Sequence, residues 1–102
     1  MIEINRIGNN KVMITGHSSP DICASVSCIM FTSVKLLEKY NKECIKYIDE
    51  NDIVLIELLK RDNFVNMIFD NMIQCFLELY QDTPDGRIAL SYSPDGEIDN
   101  ED

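Results

Sequence analysis

Apolar and polar positions alternate from the first residues. Ile2 and Ile4 are interleaved with Glu3 and Asn5, the period of a strand with one wet face. Gly8-Asn9-Asn10 signals a turn, because glycine and asparagine tolerate positive φ. The alternation resumes over 11–15 as a second, antiparallel strand. Val12 and Ile14 point to one side, Met13, Thr15 and His17 to the other. From about residue 21 to 40 the period lengthens to that of a helix. Ile22, Val26, Ile29, Ser33, Leu36, Leu37 and Tyr40 form a stripe, and Met30 and Val34 widen it. This helix is therefore predicted to be covered on more than one side.

Residues 44–49 alternate again, Glu50-Asn51-Asp52 turns, and 53–58 runs nearly apolar, giving a second hairpin. Val54, Ile56 and Leu58 are expected to face the core, with Ile53, Leu55 and Glu57 opposite. So few polar positions on either face suit a strand that is central or covered by a partner. Asp62 or Asn63 can cap a second helix. Its apolar face is Val65, Ile68, Phe69, Met72, Ile73, Phe76, Leu79 and Tyr80. Asp82-Thr83-Pro84-Asp85-Gly86 forms a turn and 87–92 a last strand. The acidic residues from 94 to 102 read as a disordered tail after a single domain over 1–93. The order ββαββαβ predicts an α+β fold, a mixed or antiparallel sheet with two helices. The broad coverage of the first helix places it between the sheet and the second helix.

At 102 residues the core is small, so a dimer interface would add stability. The net charge of −9 argues against nucleic acid as a direct partner and suits a basic protein or peptide. Met1-Ile2-Glu3-Ile4 lacks the basic region of a secretory leader, and no apolar run is expected to approach the ~20 residues of a membrane span. The expectation is a cytoplasmic protein with no membrane contact. Cys23, Cys28, Cys44 and Cys75 contain no CxxC pair, so they are expected as free thiols rather than a redox couple. Zinc on His17, Cys23 and Cys28 has the wrong spacing for common structural sites, and neither metal nor other cofactor is expected.

The chemistry concentrates in 16–27. Gly16 frees the backbone before His17 and leaves room for a substrate chain. Ser19 followed by Pro20 fits an N-cap with proline at the first helical position; Asp21 adds negative charge to the first turn, or caps in its place. Cys23 lies in that first turn on either reading. A helix N-terminus and a nearby imidazolium both favour thiolate, the form that attacks carbonyls. The amides of Cys23 and Ala24 are candidate oxyanion donors, and the small side chains of Ala24 and Ser25 leave space for substrate. Ser27, one turn on, is expected to bond back to the helix backbone, and Cys28 to pack. On chemistry alone, a buried structural cysteine and a surface histidine remain the commoner reading.

Gly16-His17 followed by Asp21-Ile22-Cys23-Ala24-Ser25-Val26-Ser27 resembles the GH…DIVCAAVS signature of the ribosomal-processing cysteine protease family, Prp. The order of strands and helices extends the likeness over nearly the whole chain. The resemblance implies that His17 is the general base and Cys23 the nucleophile, with Asp21 and Ser27 at the family's Asp and Ser positions. It also implies a homodimer that removes the short N-terminal extension of a basic large-subunit ribosomal protein before ribosome assembly. Asp21 is open between orienting His17, shaping the loop and acting only at the helix end. The five residues between His17 and Cys23 are fewer than in the family and carry Ser18, Ser19 and Pro20 instead of glycine. That departure motivates two alternatives: a non-catalytic dimeric interaction module of the same fold, or a protease for a different protein, such as a phage protein.

Overall fold

The computed structural model describes residues 1–94, in the order β1 (Ile2–Ile7), β2 (Lys11–Gly16), α1 (Pro20–Tyr40), a short 3₁₀ turn (Lys42–Cys44), β3 (Ile45–Glu50), β4 (Ile53–Leu58), α2 (Asn63–Gln81) and β5 (Ile88–Ser93). The expected acidic tail falls outside the described residues from 95 onward. The five strands form one mixed sheet, ordered β3-β4-β2-β1-β5, in which β5 runs parallel to β1 and the other neighbours are antiparallel. This is the α+β arrangement that the periodicity predicts. Strand β4 is central, between β3 and β2, which explains its scarcity of polar residues.

Alternation decides which side of the sheet is covered. Ile2, Ile4, Val12, Ile14, Ile56, Leu58 and Ile88 are buried on the helix-facing side, while their neighbours Met13, Thr15 and Leu55 are half-buried and Ile53 is exposed. Helix α1 packs between the sheet and α2, and α2 also reaches the sheet along β5. Its core face is Ile22, Val26, Met30, Ser33, Val34 and Leu37. Thus Met30 and Val34 are central to the stripe rather than its margin, and Leu36 and Tyr40 are exposed. Cys28, expected to pack, is exposed as well. By length and composition α1 is apolar enough to cross a membrane, contrary to the sequence reading; here that apolarity buries one face in the core.

Two element boundaries move for local reasons. Cys44, read as the first residue of β3, instead ends the 3₁₀ turn and is fully buried. The Asn41 side chain accepts from the Glu43 amide and initiates that turn, and the Cys44 carbonyl accepts from the Leu59 amide. Helix α2 resolves its two candidate caps in favour of Asp62, whose Oδ1 accepts from the Val65 amide at 2.9 Å. Tyr40, at the end of α1, donates its hydroxyl to Asp62 Oδ2 at 2.6 Å and sets its ring against Phe64, centroids 4.4 Å apart. One carboxylate therefore joins the end of α1 to the start of α2.

That junction carries an acid-stability prediction. The Tyr40 hydroxyl, and then the Val65 amide, hold the Asp62 carboxyl below its ordinary value of 3.8. A depressed carboxyl contributes stability that is complete above the unfolded value and is lost as pH falls through the folded value. Replacing Asp62 with alanine is expected to lower the thermal midpoint at neutral pH. The gap from the parent protein should close progressively below pH 3.8, which thermal melts across that range would measure.

Candidate active site

Strand β2 ends at Gly16, whose φ of +87° is unfavourable for residues bearing a Cβ. A Cβ at Gly16 would collide with the Met1 carbonyl oxygen, so glycine is required by the close approach of the residue just before the neighbouring strand. The space foreseen for a substrate chain is, at that atom, filled by the protein itself. Gly16 nevertheless lines one cleft with His17 and Cys23.

Ser19 is the N-cap of α1 and Pro20 follows it, as predicted, but Ser19 makes no side-chain cap bond. Its Oγ accepts from Arg87 Nη1 at 2.9 Å. Arg87 also reaches Asp21 Oδ2 at 3.4 Å, so the bend from β2 into α1 is tied to the start of β5. The Ser19 hydroxyl most of all, with the Ile22 amide and the Arg87 guanidinium, holds the Asp21 carboxyl below the usual range. Of the three roles open to Asp21, the structure favours shaping the loop and the helix end. The carboxylate on His17 comes from elsewhere.

Cys23 Sγ lies 3.4 Å from the Ser18 amide nitrogen and 3.5 Å from the Ser18 carbonyl oxygen. The Cys23 amide is already used, donating to the Ser19 carbonyl at 3.0 Å, so it is not the free oxyanion donor expected from the sequence. The Ser18 amide points at sulfur in its place. Ala24 is exposed and does not line the cleft, whereas Ser27 does. Ser25 and Ser33 bond back to backbone carbonyls four residues earlier; no such bond is found for Ser27 among the described residues.

The cleft holding these groups has a volume of about 210 Å³. Its floor is apolar, with Ile2, Ile14, Val26, Met30 and Val54; Phe31 lies on one wall, and Asp49 and Asp52 at the rim. Phe31 stacks edge-on against Tyr47, centroids 6.5 Å apart, and Tyr47 donates its hydroxyl to Asp49 at 3.3 Å. His17 and Cys23 share this cleft without bonding to each other among the described residues. His17 Nε2 is 3.1 Å from Asp52 Oδ1, and both side chains are 71% exposed. Asp52 is the cleft residue beside His17 that the sequence does not single out. Its signal lies in the β2–β4 register: pairing Thr15 with Ile53 sets the β3–β4 turn beside Gly16 and His17.

A larger groove of about 310 Å³ lies across the molecule between β1, β5 and α2. It carries no nucleophile matched to a base. Its cation, Arg6, bonds to the Gly8 carbonyl and stacks on Tyr92. The smaller cleft is the better site, because chemistry rather than volume distinguishes it. Among the described residues no disulfide joins the four cysteines, and no group of metal-ligating side chains is found.

Comparison with solved structures gives the same architecture. The ribosomal processing protease Prp from S. aureus, crystallised with a substrate peptide, superposes with a TM-score of 0.81 at 17% identity over 91% of this chain and 100% of that one. The fold is that of Prp. A second Prp structure, with a covalently linked product peptide, gives 0.77 at 23% identity over 91% and 100%. SMU.848 from Streptococcus mutans gives 0.77 at 21% identity over 91% of this chain and 94% of that one. At these identities the likeness is one of fold. No family model matches the sequence, and no curated protein matches it.

Proposed function

We propose that the chain is a cysteine endopeptidase in which Cys23 is the nucleophile and His17 the general base. The observation that carries this reading is the sharing of one cleft by the only histidine and a cysteine at a helix start, in a fold like that of a peptide-binding protease. Cys23 attacks the scissile carbonyl while His17 takes the thiol proton. The tetrahedral oxyanion collapses to a thioester as His17 returns that proton to the leaving amine, and water then releases the acid. The Ser18 amide donates toward Sγ, which favours its thiolate form. Gly16 and Ser27 shape the cleft, Asp21 holds the loop, and Ala24 contributes only a small exposed side chain.

The substrate proposed is the N-terminal extension of a basic large-subunit ribosomal protein, cut in the cytoplasm before ribosome assembly. The Prp structures were solved with substrate and product peptides, and the net charge of −9 favours encounter with a basic protein. A homodimer suits the sheet face left uncovered by the helices, where Ile53 is exposed beside half-buried Leu55 and Met13. Incubating the purified chain with an extended ribosomal protein and measuring intact mass tests the reading. One cut near the substrate's N-terminus is expected; an unchanged mass would refute that substrate. A non-catalytic module of the same fold is the second reading, favoured by one observation: His17 bonds to Asp52 and not to Cys23.

A further inference from the structure

We propose that Asp52 is a positioning residue for the general base: it keeps the His17 proton on Nε2 and leaves Nδ1 as the nitrogen that takes the thiol proton. This rests on the reading of His17 and Cys23 as base and nucleophile. Three observations converge on it. Asp52 Oδ1 lies 3.1 Å from His17 Nε2. Both side chains line the cleft that contains Cys23. Asp52 also adopts a backbone conformation that an aspartate occupies at a cost.

Glu50 pairs with Ile53, so Asn51 and Asp52 alone make the turn, with φ of +55° and +63°. Two-residue hairpins with both φ positive are best served by Asn-Gly. Here asparagine takes the first place, but an aspartate stands where glycine would be least strained. Backbone strain clusters at functional sites, and here it sets a carboxylate against His17.

The other carboxylates near the bend are engaged elsewhere. Asp49 Oδ2 accepts from the Tyr47 hydroxyl, and Asp21 is held by Arg87. In the resting site, neutral His17 donates Nε2–H to Asp52 Oδ1, so the lone pair is on Nδ1. The Cys23 Sγ proton passes to that lone pair as sulfur bonds to the carbonyl carbon. The imidazolium keeps its Nε2–H bond to Asp52 throughout, then gives the Nδ1 proton to the departing amine. Asp52 touches neither substrate nor sulfur; it fixes which nitrogen reacts and how the ring lies.

The experiment compares the parent protein, Asp52→Gly and Asn51→Gly. Glycine suits either turn position, so both variants keep the hairpin, and only the first loses the carboxylate. His17 is the sole histidine, so its two ring nitrogens can be followed without ambiguity by ¹⁵N resonance at about pH 8, above the ordinary imidazole range. The parent and Asn51→Gly are expected to show the proton on Nε2. In Asp52→Gly the two nitrogen shifts should move toward each other. With a cleavable peptide, kcat of Asp52→Gly is expected to fall about fivefold with KM unchanged, the scale of one exposed ion pair. Asn51→Gly should cleave as the parent does. A proton found on Nδ1 in the parent overturns the proposal, as do unchanged nitrogen shifts in Asp52→Gly or an equal fall in Asn51→Gly. The resonance measurement decides the matter even if no peptide is cut, so failure of the protease reading and failure of the Asp52 assignment are told apart.

Discussion

Cys23→Ala loses peptide cleavage by a factor on the order of 10³ or more while the fold and the melting temperature stay close to those of the parent protein. The size follows from the chemistry: no other group near the cleft can form the thioester. The fold survives because Cys23 is only partly buried and its sulfur bonds weakly to the Ser18 backbone. Cys23→Ser is expected to fail similarly, since a hydroxyl is a far poorer nucleophile without stronger activation. Alkylation provides a readout independent of any substrate. Cys44 is fully buried and burial pushes its thiol up, so it should react slowest. Cys28 is exposed and gives the rate of an ordinary surface thiol. Cys23 should react faster than Cys28 near neutral pH, and His17→Ala should remove the difference. Mass spectrometry after timed iodoacetamide labelling measures all of these together. A purified Cys23→Ala protein that still cuts would refute the nucleophile assignment. Equal rates at Cys23 and Cys28 would favour the non-catalytic module.

Much of this architecture was legible because each element repeats a short period. The second hairpin was recognisable from 53–58 and its turn, and the observed Ile53–Leu58 strand matches it. Helix α1 was visible as a helix, but its buried face was not fully resolved. Nine candidate positions cover much of a cylinder, and packing selected Met30 and Val34 over Leu36 and Tyr40. Cys28 lies on the solvent side for the same reason. Of the site, the local part was readable: a strand end, a bend, a capped helix start and a cysteine in its first turn. The non-local part was not. Asp52 reaches His17 through the pairing of β2 with β4, strands separated by α1 and β3, and no local pattern encodes that register. Arg87 likewise claims Asp21 and Ser19 from the start of β5. The nearest carboxylate in sequence, Asp21, was one open candidate for orienting His17, while a distant one makes the contact.

Phe69→Ala is expected to destabilise the fold by about 3–5 kcal/mol, the cost of a large cavity plus lost burial. Phe69 is 1% exposed at the middle of α2, in the same buried cluster as Leu37, Ile56, Met72 and Phe76. A domain of this size has a total stability of about 5–15 kcal/mol, so the variant loses a large share of it. The control lies on the same helix: Met67 is 59% exposed, and Met67→Ala should change stability by no more than about 0.5 kcal/mol. Urea titration gives both numbers, with an unchanged slope showing that the denaturation midpoint reports stability. The spatial division of the chain makes the kinetic consequence specific. Every residue lining the cleft comes from β1 to β4, the β3–β4 turn, the bend or α1, and none from α2. Under conditions where Phe69→Ala remains folded, it should therefore alkylate Cys23 at the parent's rate although its denaturation midpoint has dropped. A slowed thiol in a fully folded variant would mean that α2 sets the position of α1 and, with it, the sulfur.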